Sequence, residues 1–558
     1  MKGYYASVAA DSVLERLEED NFVERLWQRD PAIWPGDEAA RRNIGESLGW
    51  LGVVEAMQGR LDELDDFTRE VREAGFEQVV HMGMGGSSLA PLVFERTFGP
   101  QEDWPELSVL DTTDPTTVIG VAGKVPMGKT LFIVASKSGT TAEPLAFGEY
   151  FYKGVGVMAE GDPGDNFAVI TDPGTPLEQQ AYDRSYRRVF LNFADIGGRY
   201  SALSWFGLVP VALMGIDVRE LLLRAAAMAR DCRRPAPDNP GVALGALMGD
   251  MARRGRDKLT LVMPASIATL GVWLEQLIAE STGKQGAGII PVAGEPLGSP
   301  DDYGDDRLFV YLRLAGDIDP DQEDLVGKLE AAGQPVVRVE LEDAMDLGRE
   351  FMRWEVATAT AGAVLGINPF DQPNVQESKD YTNLYLRNFR EQGGLPEEEP
   401  ALTEGHLQFY TETPSETAAA TLAAFFSQAA PGDYLAVLAY LTESAAASAA
   451  IDAVRKRVRD ALGIAATSGY GPRYLHSTGQ LHKGGPGSGL YLLLTADEER
   501  DALIPGEPFT FAVFKQAQAL GDLDALRKHG RRVLRVHLGP AGNGLSRLDE
   551  LLGEALTP

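Results

Sequence analysis

Two turns rich in glycine and hydroxyl side chains contain the residue types that bind an anion. The first, GMGGSSLAP, places Gly86, Ser87 and Ser88 between an apolar β-branched run and a helical pattern. The second, SKSGTTAEP, adds four hydroxyls within six positions: Ser136, Ser138, Thr140 and Thr141. Glycine lets backbone amides approach a phosphate, and amides at a helix start favour negative charge. We expect the two turns to converge on one crevice.

Each turn also has a purely structural explanation. Glycine-rich turns join strands to helices in proteins without ligands, and serine or threonine caps helices for local reasons. One hydroxyl would satisfy a cap, however, and the second turn supplies four. Neither turn ends in Lys-Ser or Lys-Thr, which argues against a P-loop, and neither has the full dinucleotide-binding spacing. A phosphate monoester is therefore the favoured ligand.

Candidate acid–base residues follow farther along the chain. Arg199 lies in GGRYSALSWFG, before an apolar helix from about 200 to 216, where a cation could stabilise an oxyanion. Gln276 and Glu280 lie four apart in WLEQLIAESTGKQG, on one helical face. Glu280 could move a proton between adjacent sugar carbons. The alternatives are a surface arginine at a domain boundary and a solvated glutamate at a helix end.

The elements that must position these residues predict an α/β protein. Residues 1–75 have apolar positions at helical spacing and predict a helical lead-in. From Gln78, short β-branched runs alternate with helices, as in a parallel sheet covered on both faces. Linker-like segments, CRRPAPDNPG and GGLPEEEPALTEG, divide the remainder. We predict α/β domains at 76–235 and 236–395 and a smaller α/β domain at 400–558.

Composition narrows the class of partner. With 51 basic and 82 acidic residues the net charge is -31, which would repel a nucleic acid. The chain has one cysteine, Cys232, so no intrachain disulfide can form. The start of the sequence becomes charged before a signal-peptide core could form, and no segment reaches the ~20 apolar residues of a bilayer helix. We expect a cytoplasmic protein that binds neither nucleic acid nor membranes.

The ordered motifs resemble the phosphoglucose isomerase family. The resembling segments run from about residue 83 to 379: GMGGSSLAP, SKSGTTAEP, GGRYSALSWFGL, QLIAESTGK and NPFDQPNVQESK. The resemblance implies two flavodoxin-like sugar-isomerase (SIS) domains and a homodimer with active sites near the subunit interface. It also implies interconversion of glucose 6-phosphate and fructose 6-phosphate, in glycolysis and gluconeogenesis, without metal or organic cofactor.

The resemblance also implies roles for individual residues. Glu280 matches the base, Arg199 the group that stabilises the enediolate, and Lys379 a lysine implicated in opening the sugar ring. The phosphate-binding and substrate-positioning matches are Gly86, Ser87, Ser136, Lys137, Ser138, Thr141, Glu143, Gln276 and Gln372.

One expected catalytic group is missing. The family places a ring-opening histidine between the glutamate motif and NPFDQ, but residues 285–368 contain no histidine. His476 and His482 lie in HSTGQLHKGGP, in the predicted third domain. We predict that one of them replaces the missing group, with His482 slightly preferred; the alternative is that both only structure a glycine-rich loop.

The third domain resembles the C-terminal half of fused transaldolase–phosphoglucose isomerase proteins, with HSTGQLHKGGP as the shared signature. No barrel precedes the helical lead-in, so we expect no transaldolase activity. Two other functions stay open: an isomerase that also accepts mannose 6-phosphate, and a non-catalytic phosphosugar sensor. A sensor would not need Glu280, Arg199 and Lys379 together, which favours the enzyme.

Overall fold

The computed structural model describes residues 10–159 and 161–556. The start of the predicted lead-in, residues 1–9, lies outside them. The described part of this segment forms helices that pack their apolar positions inward. Its helices are α1 (Asp11–Glu19), α2 (Phe22–Trp27), α3 (Glu38–Gly45), α4 (Val53–Gln58) and α5 (Leu61–Glu73).

The first α/β unit has a parallel sheet with strand order β2-β1-β3-β4-β5. Its β-branched runs form buried strands, and helices follow the strands in the chain. The elements are β1 (Gln78–Met82), α6 (Leu89–Phe98), β2 (Glu106–Leu110), α7 (Pro115–Lys124), β3 (Thr130–Ala135), α8 (Ala142–Met158), β4 (Phe167–Thr171), α9 (Pro176–Asp183), β5 (Arg188–Leu191), α10 (Trp205–Leu213) and α11 (Val218–Asp231). Both hydroxyl-rich turns follow carboxyl ends of neighbouring strands, β1 and β3.

The second unit has a parallel sheet with strand order β7-β6-β8-β9. Helix α13 carries Glu280 two residues before its end, as the sequence predicted. The elements are α12 (Pro240–Arg253), β6 (Lys258–Val262), α13 (Leu270–Thr282), β7 (Ile290–Val292), β8 (Arg307–Leu314), α14 (Pro320–Ala331), β9 (Val336–Leu341), α15 (Leu347–Leu365) and α16 (Val375–Gln392).

The third unit has a mixed sheet with strand order β10-β11-β15-β14-β12-β13. Strands β12 to β15 are parallel, whereas β11 pairs antiparallel with β10 and β15. The elements are β10 (Leu402–Glu404), β11 (Leu407–Tyr410), α17 (Ala418–Phe426), β12 (Tyr434–Tyr440), α18 (Ala445–Leu462), β13 (Ala465–Tyr470), α19 (Gly479–Gly484), β14 (Gly489–Thr495), α20 (Phe511–Lys528), β15 (Arg532–His537) and α21 (Ala541–Ala555).

Apolar packing joins the three units. One core contains Trp50 of the lead-in, Trp205 of the first unit and Trp354 of the second. The third unit has its own core on one face of its sheet, and on the other face it packs Leu438 and Leu493 with Val292 of the second unit. The third unit is therefore held against the sheet whose helix α13 carries Glu280. Among the described residues, no helix combines the length and apolar character needed to cross a bilayer.

Candidate active site

The first hydroxyl-rich turn touches the segment that carries Arg199. A side chain at Gly86 would place its Cβ 2.1 Å from the carbonyl oxygen of Gly198, so the two backbones meet without room for a methyl group. The Ser201 hydroxyl donates to the Gly86 carbonyl at 3.2 Å, which ties the turns together. Ser87 is buried, and its carbonyl lies 2.6 Å from His81 Nε2. Gly86 therefore brings the first turn beside the arginine.

The second turn holds its hydroxyls in pairs. Ser136 donates to Thr141 Oγ1 at 3.1 Å, and Ser138 lies 3.0 Å from Thr140 Oγ1. Lys137 forms an ion pair with Asp172, so its ammonium is engaged by a carboxylate of the same unit. The hydroxyls, rather than the lysine, are the groups that this arrangement leaves to bind an anion.

Arg199 and Glu280 come from different units and meet in the interior. Their side chains are 3% and 9% exposed, and Arg199 Nη1 lies 3.4 Å from Glu280 Oε1. Gln276 Nε2 donates to the other oxygen, Glu280 Oε2, at 3.1 Å, across one turn of α13. The carboxylate is thus fixed between a cation and an amide, which removes the alternative of a solvated glutamate.

The guanidinium of Arg199 is held by the loop that begins NPFDQ. It donates to Gln372 Oε1 at 2.7 Å and to the carbonyls of Pro369 and Asp371 at 2.7 and 3.1 Å. Its Nε donates to Ser281 Oγ at 2.8 Å. With every edge of the fork engaged, the arginine is a fixed positive charge rather than a surface group.

Lys284 holds the NPFDQ loop in place through Asp371. Its ammonium is buried and lies 2.8 Å from Asp371 Oδ1. Burial, together with the nearby Arg199, lowers the pKa of Lys284 to about 8. This contact holds the backbone that places Gln372 against the arginine.

His476 of the third unit reaches into the site. Its Nε2 lies 2.8 Å from Glu143 Oε1, at the start of α8, and its carbonyl accepts from Gln276 Nε2 at 2.7 Å. Because a carboxylate only accepts, Nε2 carries the proton in this contact and Nδ1 is the other exchange position. Burial would raise the pKa of Glu143, but the neighbouring His476 lowers it below its usual range.

A cavity of about 260 Å³ brings the remaining candidates together. Thr141, Glu143 and His476 form part of its wall, and Lys379 of α16 lies on the same wall. Lys379 is exposed, and its charge contributes to the lowered pKa of Glu143. A ligand in this cavity could therefore contact a hydroxyl, an imidazole and an ammonium.

The expectation for His482 is not met. Its ring is packed between Tyr474 and Tyr491, with centroids 5.9 and 5.2 Å away, and the residue is 2% exposed. Burial, with the neighbouring charge of Lys483, lowers the pKa of His482 to about 3, so the ring is neutral. It lies in the core of the third unit, whereas His476 lies on the cavity.

Sequence reasoning missed two glutamines of the third unit. Gln518 Nε2 donates to Glu143 Oε1 at 2.7 Å. Gln480 donates to the Gly283 carbonyl and accepts from the Asn374 backbone, at 2.9 and 2.8 Å, and so links the end of α13 to the NPFDQ loop. Gln480 lies inside the HSTGQLHKGGP segment, so a polar residue there could have been noted. Gln518 lies in a helix with no motif to mark it.

The arrangement suits one type of chemistry. A fixed carboxylate can move a proton between neighbouring carbons while an adjacent guanidinium stabilises the oxyanion, and hydroxyl-bearing turns can bind a phosphate. The class of protein that these parts define is an aldose–ketose isomerase of sugar phosphates.

Comparisons with known proteins narrow the class. The family model described as phosphoglucose isomerase matches residues 47–288. A glucose-6-phosphate isomerase from Rubrobacter xylanophilus is 31% identical over 57% of this chain and 84% of its own length. A probable glucose-6-phosphate isomerase from Haloarcula marismortui is 30% identical over 68% of this chain and 92% of its own. The chain belongs to the phosphoglucose isomerase family.

Solved structures agree on the fold. A hypothetical protein from Thermus thermophilus has a TM-score of 0.58 at 24% identity and covers 67% of this chain and 96% of its own. A glucose-6-phosphate isomerase from Chlamydia trachomatis has a TM-score of 0.54 at 20% identity, over 68% of this chain and 86% of its own. The predicted α/β fold class is confirmed. The likeness to fused transaldolase proteins stays a prediction.

Proposed function

We propose that this chain reversibly converts glucose 6-phosphate to fructose 6-phosphate, with Glu280 as the base. The observation that carries the proposal is the contact between Glu280 and Arg199, two buried side chains of opposite charge beside the phosphate-binding turns. The two relatives described above are named glucose-6-phosphate isomerase and probable glucose-6-phosphate isomerase, which supports glucose 6-phosphate as the substrate. Phosphate binding is assigned to Gly86 and to the hydroxyls of Ser87, Ser136, Ser138 and Thr141, with Lys137 beside them.

Ring opening precedes proton transfer. It moves a proton from the anomeric hydroxyl to the ring oxygen, and we assign this transfer to His476 together with Lys379, which lines the same cavity. The hydrogen bond from Nε2 to Glu143 orients the ring and leaves Nδ1 to exchange the proton. His476 takes the role that the sequence preference gave to His482, because the latter is enclosed by tyrosines.

Glu280 then removes the proton from C2 of the open aldose and returns it to C1, while the hydroxyl proton of O2 passes to O1, so that the C1 aldehyde becomes the C2 ketone. The enediolate between these steps carries negative charge on oxygen, which Arg199 stabilises because its guanidinium is already fixed. Gln276 and Gln372 hold the carboxylate and the guanidinium in place. The family resemblance also supports a cytoplasmic location and a homodimer; light scattering on the purified protein measures the assembly.

The test is Glu280→Gln in an assay that couples glucose 6-phosphate formed from fructose 6-phosphate to a dehydrogenase. We expect turnover to fall by about 10²–10⁴-fold, since the amide cannot accept the proton. Binding of a phosphosugar, measured by calorimetry, should be retained. Running the same assay from mannose 6-phosphate decides whether the site accepts that epimer.

Glu275→Gln is the matched control. Glu275 lies on the same helix and is also buried, and burial raises its pKa to about 8, so the amide resembles its protonated form. Turnover of this variant should stay close to that of the unaltered chain. Near-normal turnover of Glu280→Gln would overturn the assignment. So would loss of exchange of the C2 hydrogen with solvent in both Glu280→Gln and Glu275→Gln, because the effect would then not be specific to Glu280.

A further inference from the structure

Helix α20 of the third unit is largely buried, and one of its faces carries a row of polar side chains that are buried as well. Lys515, Gln518 and Asp522 are spaced i, i+3 and i+7, so they share one face, and their exposures are 4%, 2% and 0%. Buried polar side chains are costly unless they are hydrogen-bonded. Each member of the row bonds to another unit or to a segment that carries a residue of the site.

Gln518 fixes Glu143. Its Nε2 donates to Glu143 Oε1 at 2.7 Å, and its Oε1 accepts from Thr113 Oγ1, also at 2.7 Å. A carboxylate accepts only, so the amide must turn its nitrogen toward Glu143, and the threonine satisfies the other end. Lys515 anchors the row nearby, 2.7 Å from Asp114 Oδ2 in the first unit.

Asp522 holds two segments that carry ring-opening groups. Its Oδ2 accepts from the Tyr474 hydroxyl at 2.7 Å, two residues before His476. Its Oδ1 accepts from Ser378 Oγ at 3.3 Å, one residue before Lys379, and lies 2.7 Å from Lys483 Nζ. One carboxylate thus contacts both the turn that bears His476 and the helix that bears Lys379.

Helix α20 also lies very close to α16. A side chain at Gly521 would place its Cβ 2.8 Å from Thr382 Oγ1 and 2.9 Å from the Thr382 nitrogen. Because Gly521 has no side chain, α20 packs close enough to α16 for Asp522 to reach Ser378. A displacement of α20 would therefore be transmitted to α16, the helix that carries Lys379.

We propose that Gln518 and Asp522 are positioning residues for ring opening, acting through Glu143, His476 and Lys379. The third unit therefore supplies the imidazole and also the helix that sets the spacing of the ring-opening groups. This inference rests on the proposed function. Gln518 also lines the cavity beside Glu143. The role assigned to it, as to Asp522, is exerted through hydrogen bonds to Glu143 or to the segments that carry His476 and Lys379.

The test uses Gln518→Met, which keeps the length of the side chain, and Tyr474→Phe, which removes one hydroxyl and leaves Asp522 paired with Lys483. Anomer exchange of glucose 6-phosphate, measured by NMR, reports ring opening separately from proton transfer. We expect both variants to lose roughly ten- to hundredfold in anomer exchange, with an equal loss of isomerisation, because a hydrogen bond to a charged group is lost.

Tyr385→Phe is the matched control. The Tyr385 hydroxyl donates to Asp524 and so also joins α16 to α20, but Tyr385 does not line the cavity. It should keep both rates within about twofold, as expected for a contact outside the site. Anomer exchange that stays normal in Gln518→Met and Tyr474→Phe, or falls equally in the control, overturns the inference. This outcome differs from a failure of the proposed function. That failure would appear as near-normal turnover in Glu280→Gln, a variant in which the sequence of α20 is unaltered.

Discussion

His476 Nε2 lies 2.8 Å from Glu143 Oε1, and this hydrogen bond joins the third unit to the helix after the second hydroxyl-rich turn. The same carboxylate oxygen accepts from Gln518 at 2.7 Å. Burial alone would raise the pKa of Glu143, but His476, with Lys379 contributing, lowers it. Because the carboxylate oxygen of Glu143 only accepts, this hydrogen bond fixes the orientation of the His476 ring.

Separate replacement of His476 and His482 by asparagine tests the assignment of ring opening to His476. His476→Asn should lower turnover by about 10²–10⁴-fold, because asparagine cannot exchange a proton. His482→Asn should leave turnover per folded molecule nearly unchanged and lower the melting temperature, since it alters packing between Tyr474 and Tyr491. Coupled kinetics and thermal unfolding of both variants provide the measurement. Equal turnover in the two variants would contradict the role of His476.

Much of this site could be predicted from local sequence. Both hydroxyl-rich turns follow strands that the β-branched runs predicted, and the helical spacing of Gln276 and Glu280 places them on one face. The choice between His476 and His482 could not be predicted in this way. Both lie among the same glycines and polar residues, and the contact of His476 with Glu143 joins positions 333 residues apart. That contact depends on how the third unit packs against the first.

The fold was predictable where strands are apolar and buried. Strands β12 and β14 are continuous apolar runs that indicate buried strands, whereas β13, with the sequence AATSGY, has small and polar residues that give no such signal. Strand β7 has only three residues, one of them a proline, and β10 and β11 are short antiparallel strands. The predicted apolar helix from 200 to 216 is shorter in the structure, Trp205–Leu213, because Ser204 caps its start and accepts from the Phe206 amide.

Arg199→Lys should separate binding from catalysis. A single ammonium cannot reproduce contacts to Ser281, Gln372 and the two loop carbonyls. We expect kcat to fall by about 10²–10³-fold, the typical cost of removing one oxyanion donor, with a smaller change in KM. Arg224→Lys is the control, because that guanidinium binds Glu220 and Asp343 away from the cavity. A larger effect on KM than on kcat would contradict stabilisation of the enediolate.

Gly86→Ala tests the close approach of the first turn to Arg199. The new Cβ would lie 2.1 Å from the Gly198 carbonyl oxygen, so one backbone must move. We expect kcat/KM to fall by more than about tenfold, since small displacements at a reacting centre are costly. Gly120→Ala in α7 is the control: a side chain there meets no atom within 4 Å, and alanine should stabilise the helix by about 0.5–1 kcal/mol. Steady-state kinetics and thermal unfolding distinguish the two.

A buried carboxyl on helix α15 predicts a pH dependence of stability. Glu355 of α15 is 0% exposed, and neither of its oxygens has a hydrogen-bond partner within residues 10–159 and 161–556. Burial raises the pKa of Glu355 well above its usual value. The folded chain therefore keeps the proton at pH values where the unfolded chain has released it. The free energy of unfolding should fall as pH rises above the unfolded pKa, by up to about 1.4 kcal/mol per pH unit.

Glu355→Gln removes this linkage, because an amide does not titrate. The melting temperature of the variant relative to the unaltered chain should therefore increase between pH 5 and pH 8. Glu15→Gln, an exposed position on α1, is the control and should leave the difference constant, because water solvates that side chain in both states. A constant difference for Glu355→Gln across the same range would show that the buried carboxyl ionises without cost, which contradicts the linkage.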